Sequence, residues 1–343
     1  MYSSKPPDEF ELALHDDRRV NLRLIGASSQ GWVCSTRARD ACYRLLPIGG
    51  GFGEQHECED TPVERRQDFR AWMANSPSAP HWVAHPLYRH LAPITDDGQC
   101  RLPVGDHHGW YYVRYEIPHT TSLMEILAGS NFHAKLDAVI LVFYQLQAWW
   151  QELRPDLIPF AADIVFDAEK RPFLLAAPAW RYPDIGSLFS EPSRALFLPP
   201  EYLCGMTKSE TSANIDRFAL GVIALQVFRR IPEVFEVKSS LPRMVTGSIW
   251  KNLASNLPSW LQRLQATTEA ETAVYCLINS DPQTRASIHL SQLIQTLESC
   301  RRRTEPSGAI RNLLEEGRAH EAYELLHEIL LVDDSIPMLI LAG

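Results

Sequence analysis

Residues 218–228 read F-A-L-G-V-I-A-L-Q-V-F, a run in which Gln226 is the one polar side chain. A helix that is apolar all round is stable only when other elements cover every side of it. The chain must therefore build a shell around this segment, and its size permits that. With 343 residues, 45% of them hydrophobic and 22% charged, it can bury one large core or two medium ones. The balance is that of a globular protein, not a disordered one.

Charge and hydropathy exclude some partners. A net charge of −9 argues against a chain-wide nucleic-acid footprint, and the one basic cluster, Arg301-Arg302-Arg303, falls in what reads as a linker. The opening MYSSKPPDEF has no apolar leader core. The longest apolar stretch, residues 138–150, is interrupted by Gln145 and Gln147 and is too short for a bilayer, so membrane insertion is not expected. Seven cysteines stand at 34, 42, 58, 100, 204, 276 and 300 with no C-x-x-C among them. That pattern suits structural thiols in a reducing cytoplasm. His56 and Cys58 are the one close His/Cys pair, and without a second pair no metal site is expected.

Along the chain, residues 1–15 read as a polar lead-in. Val20, Leu22 and Leu24 alternate with polar residues as in a strand; a Gly/Ser turn over 26–31, a strand over 32–36 and a third over 41–47 complete an antiparallel meander. Gly49, Gly50, Gly51 and Gly53 make a loop, and Thr61 caps a helix over 62–74 with Pro62 at its first position. Residues 110–117 form a strand and Ser122 opens a short helix. Leu136, Val139, Ile140 and Phe143 mark one face of a helix over 134–153. Two short strands, 164–166 and 173–175, flank a turn at 167–170, and from 211 onward the chain is helical. The order is a β-rich part followed by a larger helical part. Residues 301–308, with Pro306 and Gly308, read as a linker, and 309–316 with 319–332 as a helical hairpin turning at Gly317-Arg318.

Four segments, in order, resemble protein kinases. Gly26-Ala27-Ser28-Ser29-Gln30-Gly31-Trp32-Val33 is similar to the phosphate-loop pattern G-x-G-x-x-G-x-V with Ser28 in place of the middle glycine. Pro199-Pro200-Glu201 resembles the A-P-E motif. Asp216 to Gly221 resembles the D-x-W/F-S-x-G opening of the family's buried helix, and Asp281-Pro282-Gln283-Thr284-Arg285-Ala286-Ser287 its late D-P-x-x-R stretch. The resemblance covers residues 16–300. It implies an α+β, two-lobed kinase-like fold with a small β-rich lobe and a larger helical lobe. It also implies that Glu201 pairs with Arg285, and that ATP and magnesium are the family's cofactors.

The catalytic positions depart from the family. Arg44 stands where the strand lysine belongs, and an arginine fork is not equivalent to a lysine point charge. The following helix has Arg70 near the glutamate slot, with Glu64 and Asp68 only nearby. Asp156 falls near the catalytic aspartate without the histidine of H-R-D, and Asp163 takes the place of the metal-binding asparagine. Ala176-Ala177-Pro178 stands where D-F-G should, so the carboxylate that holds magnesium across the phosphates is missing, and Asp184 lies eight residues on. No catalytic residue, metal site or cofactor is expected. The reading is a pseudokinase in the cytoplasm, acting as a scaffold or regulator for other proteins in a signalling or secretion-type assembly. The alternative is an atypical nucleotide-binding phosphotransferase using Arg44, Asp156 and Asp163.

The tail, from Gly308 on, is similar to a tetratricopeptide-like hairpin, with Gly317-Arg318 in the turn and Ala322 at the small packing position. One such repeat cannot bury its apolar face alone. Either it packs on the preceding domain, or 309–343 begins a longer repeat array; the second is preferred, since an apolar run, 338–341, follows the hairpin.

Overall fold

The computed structural model describes residues 7–14, 16–28, 31–47, 94–102, 110–117, 120–152, 161–175, 195–204, 208–232 and 242–332. Six strands form the N-terminal part: β1 (Glu9–Leu14), β2 (Arg19–Ser28), β3 (Gly31–Thr36), β4 (Cys42–Pro47), β5 (Ile94–Arg101) and β6 (Trp110–Tyr115). The expected meander is β2-β3-β4. It belongs, however, to a closed antiparallel barrel of order β1-β2-β3-β4-β6-β5, sealed where Ala13 pairs with Arg101 and Leu14 with Cys100. The expectation of a lead-in over 1–15 is thus corrected. Phe10, Leu12 and Leu14 are buried while Glu9 and Glu11 face solvent, the period-2 pattern of a half-buried strand. The Gly/Ser turn is also tighter than expected, because β2 runs to Ser28 and β3 restarts at Gly31.

Alternation sorts the barrel's side chains into two buried groups. Leu12, Leu22, Cys34, Tyr43, Leu45, Trp110 and Tyr112 form one, with the Trp32 and Trp110 rings stacked at 4.4 Å between centroids. Ile25, Val33, Cys42, Val113, Tyr115 and Ile117 form the other, together with Val165 and Leu175 from beyond the barrel. Leu22 and Ile25, three residues apart, fall in different groups as strand alternation requires, and a bulge lies between Leu24 and Gly26.

A small sheet of order β7-β8-β9 meets this second group: β7 (Thr121–Ser122), β8 (Ile164–Phe166) and β9 (Pro172–Leu174). Asp167 organises the β8–β9 turn, accepting from the backbone N–H groups of Glu169 at 3.0 Å and Arg171 at 2.9 Å. Ser122 caps α1 (Leu123–Ala128) in a reciprocal pair with Glu125, the arrangement expected of a Ser-x-x-Glu start. The Ser122 hydroxyl also donates to the Ile25 carbonyl at 3.0 Å, and Arg23 donates to Glu125 at 2.6 Å, so the cap ties β2 to the helical part.

The helical part holds α2 (Phe132–Glu152), α3 (Lys208–Phe228), α4 (Gln265–Leu277), α5 (Leu290–Thr304), α6 (Pro306–Glu315) and α7 (Ala319–Val332), with single turns at Pro200–Leu203, Ser259–Gln262 and Pro282–Ala286. Phe218, Leu220, Ile223 and Phe228 of α3 are all at or below 1% exposure, as a helix without a polar stripe requires. Gly221 sets how closely α3 lies on α4: an added Cβ would come within 2.6 Å of Leu277 Cβ and 2.8 Å of Ile278 Cγ2.

The linker expected over 301–308 is absent. α5 continues to Thr304 and α6 begins at Pro306, and the three arginines sit in the last turn of α5, where cations complement the helix dipole. Arg301 pairs with Asp137 of α2 and Arg303 with Glu269 of α4. Ala309, Ile310, Leu313, Ala322 and Leu325 of the hairpin belong to the same core as α3, so the tail packs on the preceding helices. Gly317 turns the hairpin at φ 76°. Among the described residues no helix is long and apolar enough to cross a membrane.

Candidate functional site

The most unusual polar feature lies between barrel and small sheet. On β4, Tyr43 and Leu45 turn to one buried group and Cys42 and Arg44 to the other. Arg44 is fully buried. Its guanidinium meets the carboxylate of Asp163 in an ion pair, donates to the Leu175 carbonyl at 2.7 Å and lies against Tyr115. Asp163, 2% exposed, ends a 3-10 turn over Ala161–Asp163 that leads into β8. The Leu175 N–H in turn donates to the Asp163 carbonyl at 2.8 Å. Burial pulls Arg44 below its ordinary value, opposed by Tyr115 and Cys42, and it pushes the Cys42 thiol up to about 12. An unpartnered charge would not survive here, and the ion pair with Asp163 together with the hydrogen bond to the Leu175 carbonyl is what makes the burial tolerable.

The sequence reading set Arg44 at the strand-lysine position and Asp163 at the asparagine position without foreseeing a contact between them. The structure directs them at each other. The legible clue was charge within apolar context: a lone arginine inside C-Y-R-L-L and a lone aspartate ahead of I-V-F, two charges that strand pairing would bury. Tyr115 and the Leu175 carbonyl carried no such clue.

The remaining candidates fall as follows. Gly26 lies buried in β2 opposite Val33, and Ser28 faces Gly31 at the end of the β2–β3 hairpin. Val33 is buried in the group shared with Val165 and Leu175. Asp156, Ala176, Ala177, Pro178 and Asp184 lie outside the described residues, as do His56, Cys58, the glycine loop near 50 and the segment 62–74. Among the described residues no cluster of three His, Cys, Asp or Glu suits a metal ion.

Glu201 and Arg285 come together. Arg285, fully buried, pairs with the Glu201 carboxylate, donates to the Asn279 carbonyl and sits 5.7 Å from the centroid of the Phe218 ring. Burial pulls it down to about 10. Asp281 caps the Pro282–Ala286 turn, accepting from Gln283 N at 3.1 Å and Thr284 N at 3.0 Å. The Thr284 hydroxyl and these backbone donors hold its carboxyl below the usual range. Arg217 donates to the carbonyls of Arg285 and Ala286 at 2.7 and 2.6 Å. Asp216 is part of α3, and Gly221 lies in the same helix against α4. Glu201, Arg217 and Arg285 tie these helical turns to α3.

The arrangement at Arg44 is therefore a buried ion pair beside an apolar group. Comparison with known proteins finds no family model that matches this chain and no curated protein that matches it in sequence.

Proposed function

We propose that this chain is a catalytically silent, two-lobed kinase-like scaffold that acts by binding other proteins. One observation carries the reading: Asp163, which stands at the place of the family's metal-binding asparagine, is engaged by Arg44 in the interior. A magnesium ion that bridges phosphates needs open carboxylate oxygens. A carboxylate enclosed with a guanidinium offers none without a large rearrangement. The apolar residues of the neighbouring buried group, among them Ile25, Val33, Cys42 and Leu175, are 0–4% exposed and packed on one another. An adenine slot, by contrast, is open and apolar before its ligand arrives. Charge neutrality and apolar closure together favour a fold kept for shape over one kept for turnover.

The test is thermal stability with ATP and magnesium or manganese. A ligand that binds only the folded state at a hundred times its Kd stabilises by about 2.7 kcal/mol, a shift that melting detects readily. Under this reading the melting temperature is unchanged at millimolar nucleotide. A clear shift, with phosphoryl transfer abolished by Asp163→Ala, overturns it in favour of an atypical phosphotransferase using Arg44, Asp156 and Asp163.

A further inference from the structure

The geometry points to a docking cleft beside β1 and β2 that takes a dipolar peptide segment of a partner protein, its acidic side chains against Arg37 and Arg39 and its basic side chain against Glu9. Sheet register builds the cleft. Glu9 pairs with Arg23 and Glu11 with Asn21 across β1 and β2, and Arg37 follows directly on Thr36, the β3 partner of Leu22. The result is an acidic lip on β1 and a basic lip at the β3–β4 turn, about 10 Å apart across β2 at the usual strand spacing. Between them lies a cavity of about 440 Å³, within the range of natural ligand pockets.

The class of ligand follows from which charges the fold leaves unanswered. Arg23 is held by Glu125 at 2.6 Å and Glu11 by Arg19 at 3.0 Å. Glu9, Arg37 and Arg39 have no ion pair or side-chain hydrogen bond among the described residues. Asp40, the next acid along the turn, is engaged by the Thr36 hydroxyl. The basic lip is also rigid. Arg39 N–H donates to the Thr36 carbonyl at 3.0 Å, and the Arg39 carbonyl accepts from Thr120 N–H at 3.4 Å. The Thr36 hydroxyl accepts from the N–H groups of Asp40 and Ala41 at 3.1 and 3.3 Å. Arg39 holds φ 56°, a conformation favoured by glycine and asparagine, and backbone strain in a fixed turn is a mark of positions that serve a site. One exposed ion pair contributes little. Two guanidinium groups and a carboxylate on opposite lips, however, select a ligand by the order of its charges. A lone anion leaves Glu9 unanswered, and a uniformly acidic peptide meets it as a like charge. That the partner is a protein rests on the proposed function, yet the two fail separately: a melting shift with ATP refutes that reading, and absent peptide binding refutes the cleft.

The experiment titrates the whole chain calorimetrically, at low salt, with two end-capped peptides of one composition, Glu-Glu-Gly-Gly-Lys and Glu-Gly-Lys-Gly-Glu. In the first, three residues of extended chain separate the acidic pair from the lysine by about 10 Å, the distance between the lips. The expected result is binding of the first peptide about tenfold or more tighter than the second. Binding falls about tenfold or more in the double variant Arg37→Gln with Arg39→Gln, and Glu9→Gln removes the preference between the peptides. Equal binding of the two peptides by the parent chain, no binding of either, or binding unchanged in the double variant overturns the inference. If the double variant is destabilised, Arg37→Gln alone replaces it: a loss of about threefold or more supports the cleft, and an unchanged Kd refutes it.

Discussion

Replacing Gly221 with alanine should destabilise this protein although it improves the helix. In an exposed helix interior Gly→Ala is favourable by about 1 kcal/mol, because glycine loses the most backbone freedom on folding. At Gly221 the new Cβ would stand 2.6 Å from Leu277 Cβ, 2.8 Å from Ile278 Cγ2 and 3.2 Å from the Leu277 carbonyl carbon. Carbon atoms in contact prefer about 3.5–4.0 Å, so two contacts are short by roughly an ångström. One obstructing atom is a Cβ, which cannot turn aside by changing rotamer, and α3 must move off α4. Overpacking of this kind costs about 1–3 kcal/mol, here toward the upper end. Set against the propensity gain, the net loss is about 2 kcal/mol.

Urea unfolding followed by circular dichroism measures it as a lower midpoint at unchanged slope. Gly317→Ala is the control. Its φ is 76° but nothing lies within 4 Å of an added Cβ, so its loss is the left-handed backbone alone, about 1–2 kcal/mol, and Gly317→Asn should recover part of it. If Gly221→Ala proves as stable as the parent, or more so, the close approach of α3 to α4 is wrong.

Three further outcomes follow from buried polar groups. Glu201→Gln strands the fully buried Arg285 and should cost about 3–5 kcal/mol; a loss under 1 kcal/mol in the same urea assay would contradict the pairing. His133, with Nε2 3.2 Å from the Thr304 hydroxyl and with Asp137, Arg301 and Glu305 around it, is held below its ordinary 6.5 chiefly by burial. The fold favours the neutral ring, so its contribution is intact above pH 6.5 and is lost as pH falls from there through the folded value. Stability against pH should accordingly fall less steeply over that window in His133→Gln, and identical slopes would count against it. Lys135 is 4% exposed and is pulled down by burial, and among the described residues it has no ion pair. Lys135→Met should stabilise by on the order of 1 kcal/mol, whereas a destabilised variant would reveal an acidic partner.

Local pattern made much of the fold legible. β2 to β4, the Ser122 cap, α3 and the Gly317 turn each rest on periodicity, a capping pair or a backbone conformation that a few neighbouring residues decide. The mistakes came where a segment's state depends on distant partners. Residues 9–14 look polar and ragged until β2 and β5 pair with them. Residues 301–308 carry Pro306 and Gly308, yet the turn of α5 and the start of α6 share a core with α3, and burial outweighs the local breakers.

By itself the sequence determined that a helix without a polar stripe must lie inside a helical shell behind a β-rich part, and its resemblance to protein kinases implied the pairing of Glu201 with Arg285. Only the tertiary structure decided that the barrel closes through β1, that the tail hairpin packs on the preceding helices, and that Arg44 reaches Asp163 and the carbonyl of Leu175, 131 residues further on. The reason is physical. Helix and strand periodicity are written into neighbouring residues, whereas the partner of a buried charge is chosen by which side chains the fold removes from water together.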